Sequence, residues 1–146
     1  MVIAIAVNYY LDLSKISGQK FGDDLAQIQT DLKNETLTFD SHLKQYNAGQ
    51  ISKDVMLNIT DNHTANLEKI FSRYDQLKAP DTFGPSLVLF KLSTQKELES
   101  DQNLRIWIAT GDNATRVKSD QLLQQAFQYE MNALQSYNDA KSKGSQ

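Results

Sequence analysis

The stretch "NITDNHT", residues 58–64, sets one of the chain's two histidines between two Asn-x-Thr triplets. A histidine titrates near neutrality, so His63 beside a carboxylate could serve as a general acid or base, or could ligate a metal. Asn58 and Asn62 are candidate glycan acceptors, and Asn34 and Asn113 head two further triplets of the same kind. Which chemistry is open to each residue depends on the face it occupies. That is set by the elements around it.

Three breaks punctuate the 146 residues: "YNAGQIS" at 46–52, "KAPDTFGPS" at 78–86 and "ATGDNAT" at 109–115. Each mixes the residues that supply turn conformations and caps. The long runs between them carry apolar residues at helical spacing. Ser52 suits the N-cap of the second helix, Pro85 the first turn of the third, and Asp112 the cap of the fourth. Four helices with short connections predict an all-α fold, an antiparallel up-down four-helix bundle with an extended N-terminal first helix.

In the first helix an apolar stripe runs through Phe21, Leu25, Ile28, Leu32 and Phe39; in the second, through Met56, Leu67, Ile70 and Tyr74. Folding the chain about Gly49 sets Ile28 against Ile70, Leu32 beside Leu67, Leu25 beside Tyr74 and His42 against Met56. One layer differs, because Glu35 falls opposite His63. The asparagines at 58 and 62 lie on the outer side of the same helix. Folding the second half about residues 110–111 sets Phe90 near Met131, Thr94 near Phe127 and Leu104 near Val117. It also brings Glu97 toward Gln124 and Asp101 toward Asp120. The segment "STQKELESDQN" is poorly apolar on every face, which leaves either a different helix phase or a polar interior in that half.

Glu35, His63, Glu97 and Asp101, with Asp120 at similar depth, therefore make a candidate polar cluster. Di-iron bundles use carboxylates from four helices, but with Glu-x-x-His motifs. Here His42 follows Phe39 by three residues and His63 follows Thr60, so no metal and no cofactor is expected. A buried polar pair commonly fixes helix register. No nucleophile elbow, phosphate loop or His-Glu-x-x-His occurs, and we expect no enzyme. The net charge of −3, from 15 basic and 18 acidic residues without a like-charge block, argues against nucleic acid as a partner. Without cysteine there is no disulfide, thiolate metal site or cysteine nucleophile.

Residues 1–19 have no opposed segment in the first hairpin and would project about 28 Å as a helix. Their start, "VIAIAV" followed by Tyr9 and Tyr10, reads in two ways. It fits the interfacial end of a truncated membrane or signal segment. It equally fits a β-branched end that packs on the bundle or on a second chain. The expected division is an overhang or anchor end at 1–19, a four-helix bundle at 20–141 and a polar tail at 142–146.

The stretch from about 74 to 141 carries "YDQLKAPDTFGPS", then "LFKLSTQKELESDQNLRIWIATGD", then "SDQLLQQAFQYEMNALQSY". In that order of tyrosine, Ala-Pro turn, long helix, Gly-Asp turn and final helix it resembles small membrane-anchored or secreted helical-bundle proteins of archaea and bacteria. The resemblance implies a location outside the cytoplasm, membrane-anchored or secreted rather than cytoplasmic, and carries over no residue's role. The expectation is a non-catalytic extracytoplasmic helical-bundle interaction or scaffold module. Its partner would be another protein, a second copy met through the N-terminal helix, or a membrane tether. The alternative is a bundle that senses a ligand or cation through its polar midsection.

Overall fold

The computed structural model describes residues 20–144, and in them the turn-forming stretches separate four helices: α1 Lys20–Asn47, α2 Lys53–Ser72, α3 Gly84–Thr110 and α4 Asn113–Gly144. No strand occurs among the described residues. The expected overhang at 1–19 lies outside them. The last helix runs to Gly144 rather than stopping at 141, so the start of the expected polar tail is helical.

The caps follow from residue chemistry. The Ser52 side chain accepts the Val55 N–H at 3.2 Å, and Asp112 Oδ1 accepts the Ala114 N–H at 2.9 Å. Each satisfies one of the donors a helix start leaves without an intrahelical partner. Gly111 closes α3 in the left-handed conformation, φ 74°, and donates its N–H to the Trp107 carbonyl. That backbone state is costly for any residue with a Cβ. Between α2 and α3 the chain tightens into 3-10 turns at Arg73–Gln76 and Asp81–Phe83, ahead of Pro85 in the first turn of α3.

Two apolar cores fill the bundle. One gathers Leu25, Ile28, Leu67, Ile70, Phe90 and Tyr137; the other gathers Phe39, Leu43, Met56, Leu104 and Ile108. Cross-helix bonds fix the order of α1 and α2: Glu35 meets His63, Asp31 meets Arg73, and Gln29 meets Tyr74. Numbers fall in one helix as they rise in the next. Tyr74 shares a core with the Leu25 expected beside it and also reaches Gln29 with its hydroxyl. Trp107 anchors the bundle's end, edge-on to Tyr46 and beneath the Arg116 guanidinium.

The second hairpin corrects the expected register. Ser93 Oγ donates to the Ala126 carbonyl at 2.7 Å, and Ser100 Oγ to the Ser119 carbonyl at 2.8 Å. A side chain as short as serine reaches a neighbouring helix's backbone only when the two helices approach closely. The seam is built from Ser86, Ser93 and Ser100 facing Ser119, Ala126 and Ala133, each set spaced by seven. This places α3 against α4 two residues away from the pairing that large apolar residues suggest. Val117, expected inside against Leu104, is 54% exposed. Small residues set the distance between helices, and here they decide the register.

Candidate functional site

Between the two apolar cores lies a polar layer. His63 Nδ1 faces Glu35 Oε1 at 3.1 Å, and His63 Nε2 faces Asp101 Oδ2 at 3.0 Å. The ring stacks face to face on Phe39, with centroids 4.0 Å apart. Thr36 donates to Glu97 Oε1 at 2.6 Å, one helical turn of α3 above Asp101. The sequence-derived pair Glu35–His63 is thus present. Glu97 and Asp101 join it from α3 rather than facing Gln124 and Asp120 alone.

This geometry has a proton requirement. A neutral imidazole donates from only one nitrogen. Two nitrogens facing two carboxylate oxygens therefore need either an imidazolium between two carboxylates or a neutral ring beside one carboxylic acid. Burial opposes the charged ring, but hydrogen bonds and charge from Asp101, then Glu35 and Glu97, outweigh it and raise the affinity of His63 for its proton. Burial raises the Asp101 carboxyl as well, with the His63 bond working against it. Burial and the neighbouring Asp101 push Glu97 up to about 7. The layer holds protons that the same groups would release in water.

With both nitrogens engaged and 3% exposure, His63 acts as a strut. Among the described residues no group of three or more His, Asp or Glu is placed to hold a metal ion. His42, the other histidine, neither bonds to this layer nor lines the space beside it. A second buried network ties the helices nearby: Gln29 donates to the Tyr74 hydroxyl at 2.7 Å, and that hydroxyl lies 2.9 Å from Thr94 Oγ1.

The layer opens on a cavity of about 360 Å³. Its walls are Thr36, Phe39, Asp40 and Leu43 of α1, Glu97, Ser100, Asp101 and Leu104 of α3, and Arg116, Ser119, Asp120, Leu123 and Gln124 of α4, with His63 beneath. Consecutive helices pack on each other, whereas α1 and α4 do so little, meeting at one end through Phe21 and Tyr137. The fourth side of the bundle is a cleft. Asp120 stands exposed at its wall, and Asp40, not singled out by sequence reasoning, is buried in it.

The four sequon asparagines, Asn34, Asn58, Asn62 and Asn113, are all exposed. Thr60 is completely buried and donates its hydroxyl to the Met56 carbonyl, which takes the Asn58 triplet out of solvent at its third residue. Asn113 alone of the four begins a helix; the others sit within helices.

What fold and site define together is a class: an all-α four-helix protein with a protonated polar layer beneath a side cleft. Comparison with protein families, with curated proteins and with solved structures finds no match for this chain. No helix among the described residues is long and apolar enough to cross a membrane.

Proposed function

We propose that this chain is a non-catalytic ligand-binding module and that the cleft between α1 and α4 is its binding site. The observation that carries the reading is the open fourth seam, which leaves a cavity beside the buried polar layer instead of a packed helix interface. A cavity of about 360 Å³ falls at the lower end of the range for small-molecule sites, about 300 to 1,000 Å³. Leu43, Leu104 and Leu123 supply apolar wall, and Asp101 and Glu97 supply convergent polar groups. Both nitrogens of His63 are committed to carboxylates, which favours binding over proton-transfer chemistry.

The proposed setting is extracytoplasmic, supported by the exposed Asn34, Asn62 and Asn113 and by the resemblance of the second half to secreted and anchored bundles. Tethering or self-association through residues 1–19 belongs to the same proposal and lies outside the described residues. Binding raises the unfolding temperature of whatever state it selects. A thermal-shift screen of small metabolites should find a compound whose stabilisation grows with concentration and vanishes in Leu123→Trp, which fills the cleft. If every stabilising compound acts equally on the filled variant, the site lies elsewhere and the reading fails.

A further inference from the structure

Beyond the cleft, the fourth side of the bundle continues as an apolar groove. On α4, Asp120, Leu123 and Gln124 line the cavity. Phe127 and Met131 follow on the same helix face, one and two turns further along. Leu123, Phe127 and Met131, spaced by four, are half-buried, and among the described residues none of them joins either apolar core. Helix α1 covers this row little, since it meets α4 at one end, where Phe21 lies against Tyr137. Three large apolar side chains in line, without a facing helix, call for a partner.

The chain supplies one of fitting chemistry and length. Residues 1–19 lie outside the described residues and join α1 at Lys20, which is the Phe21–Tyr137 end of the groove. Their charged side chains are Asp12 and Lys15, and their apolar ones gather at 2–7 and at Leu11 and Leu13. We infer that this segment turns back at Gly18 and seats in the groove between α1 and α4, against Leu123, Phe127 and Met131. Glycine accepts the left-handed backbone that such a turn needs. At a helical rise of about 1.5 Å per residue, Met131, Phe127 and Leu123 stand about 9, 15 and 21 Å along α4 from Tyr137. A helical segment reversed at Gly18 brings Leu11 to about 10 Å from the turn and residues 2–7 to about 16–24 Å, so its apolar positions fall beside all three. A connection this short holds the segment at a millimolar effective concentration, far above that of a second chain at micromolar concentration, so the chain's own groove fills first. The apolar run at 2–7 is also much shorter than the roughly 20 residues that span a bilayer. The inference does not depend on the ligand-binding reading, because Phe127 and Met131 lie outside the cavity lining. Tethering and self-association would use the same apolar residues. Seating in the groove therefore holds the segment back from both, and displacing it from α4 releases it.

The chain has no cysteine, so Asn8→Cys gives a single attachment point for a nitroxide label in the full chain, and backbone NMR reads the broadening that the label causes. The expected result is strong broadening at Leu123, Phe127 and Met131 and far less at Lys69, exposed on α2. Adding Ile3→Asp with Ile5→Asp should abolish it, and so should Phe127→Glu. The isoleucine pair lies outside the four helices, so its result stands even if Phe127→Glu unfolds α4. A mixture of nitroxide-bearing chains with isotope-labelled chains that carry no nitroxide separates one copy from two. Equal broadening of α4 in that mixture would give the groove to a second copy's segment and overturn the seating within one chain. Absence of broadening on α4, or broadening that survives Ile3→Asp with Ile5→Asp, refutes the inference. In the former case, flotation of the chain with anionic phospholipid vesicles would assign the segment to a membrane instead.

Discussion

Removing the charge of Glu97 while keeping its shape should stabilise the protein at alkaline pH and do little in acid. The Glu97 carboxyl is pushed up to about 7 from an ordinary 4.5, by burial first and by Asp101 second. The folded state therefore binds this proton more tightly than the unfolded chain does. Its contribution to stability is fully present below about 4.5 and is lost as pH rises through about 7. The gap between those values sets a ceiling of about 3 kcal/mol. Glu97 is only half-buried, and Asp101 and His63 share the same local proton balance, so about 1–2 kcal/mol is the realistic share. Glu97→Gln keeps an oxygen for the Thr36 hydroxyl and is neutral at every pH. At pH 8.5 its melting temperature should exceed that of the unaltered protein by about 3–8 °C, with the difference closing near pH 5. The readout is the difference between the two proteins across pH, because carboxylates remote from this layer affect both alike. A variant that melts lower at pH 8.5, or a difference that is constant from pH 5 to 8.5, would refute the reasoning.

Two further changes probe the frame. His63→Leu leaves the carboxylates of Glu35 and Asp101 without their partner and should cost about 2–4 kcal/mol in urea unfolding at pH 7. Adding Asp101→Leu should recover more than adding Glu35→Leu, since the Asp101 side chain is 9% exposed and that of Glu35 is 24% exposed; a coupling to Asp101 below about 0.5 kcal/mol would contradict the bridge. Ala126→Leu forces bulk into the close α3–α4 seam and should destabilise by about 1–3 kcal/mol, again by urea unfolding, whereas a neutral effect would mean that the helices are not held at that distance.

The helices, their caps and the Glu35–His63 layer were legible because large apolar residues line both sides of the first hairpin. Leu32 and Leu67 above, with Phe39 and Met56 below, leave only one pairing that buries everything, and the polar layer follows from it. The second hairpin hides its register. Matching large residues across α3 and α4 put Leu104 against the exposed Val117, since the true contact is made by residues too small to register as hydrophobic. The signal was available in the seven-residue spacing of Ser86, Ser93 and Ser100 and of Ser119, Ala126 and Ala133. Read that way, Ser100 faces Ser119, and Asp101, the next residue along the helix, turns toward His63. The polar character of "STQKELESDQN" then ceases to be anomalous, because its inward residues bond to a neighbouring backbone or to the histidine. The cleft follows from the same feature. Serine and alanine draw α4 in against α3, while Phe39 and Leu43 on α1 and Leu123 on α4 are too bulky for an equally close approach on the other side. A four-helix arrangement with one tight seam has to be looser elsewhere, and here the looseness falls over the one layer lined with carboxylates. Spacing in the sequence can reveal a tight seam, but the volume left opposite it depends on where whole helices come to rest, which is why Asp40 gave no sign of its place in the cleft wall.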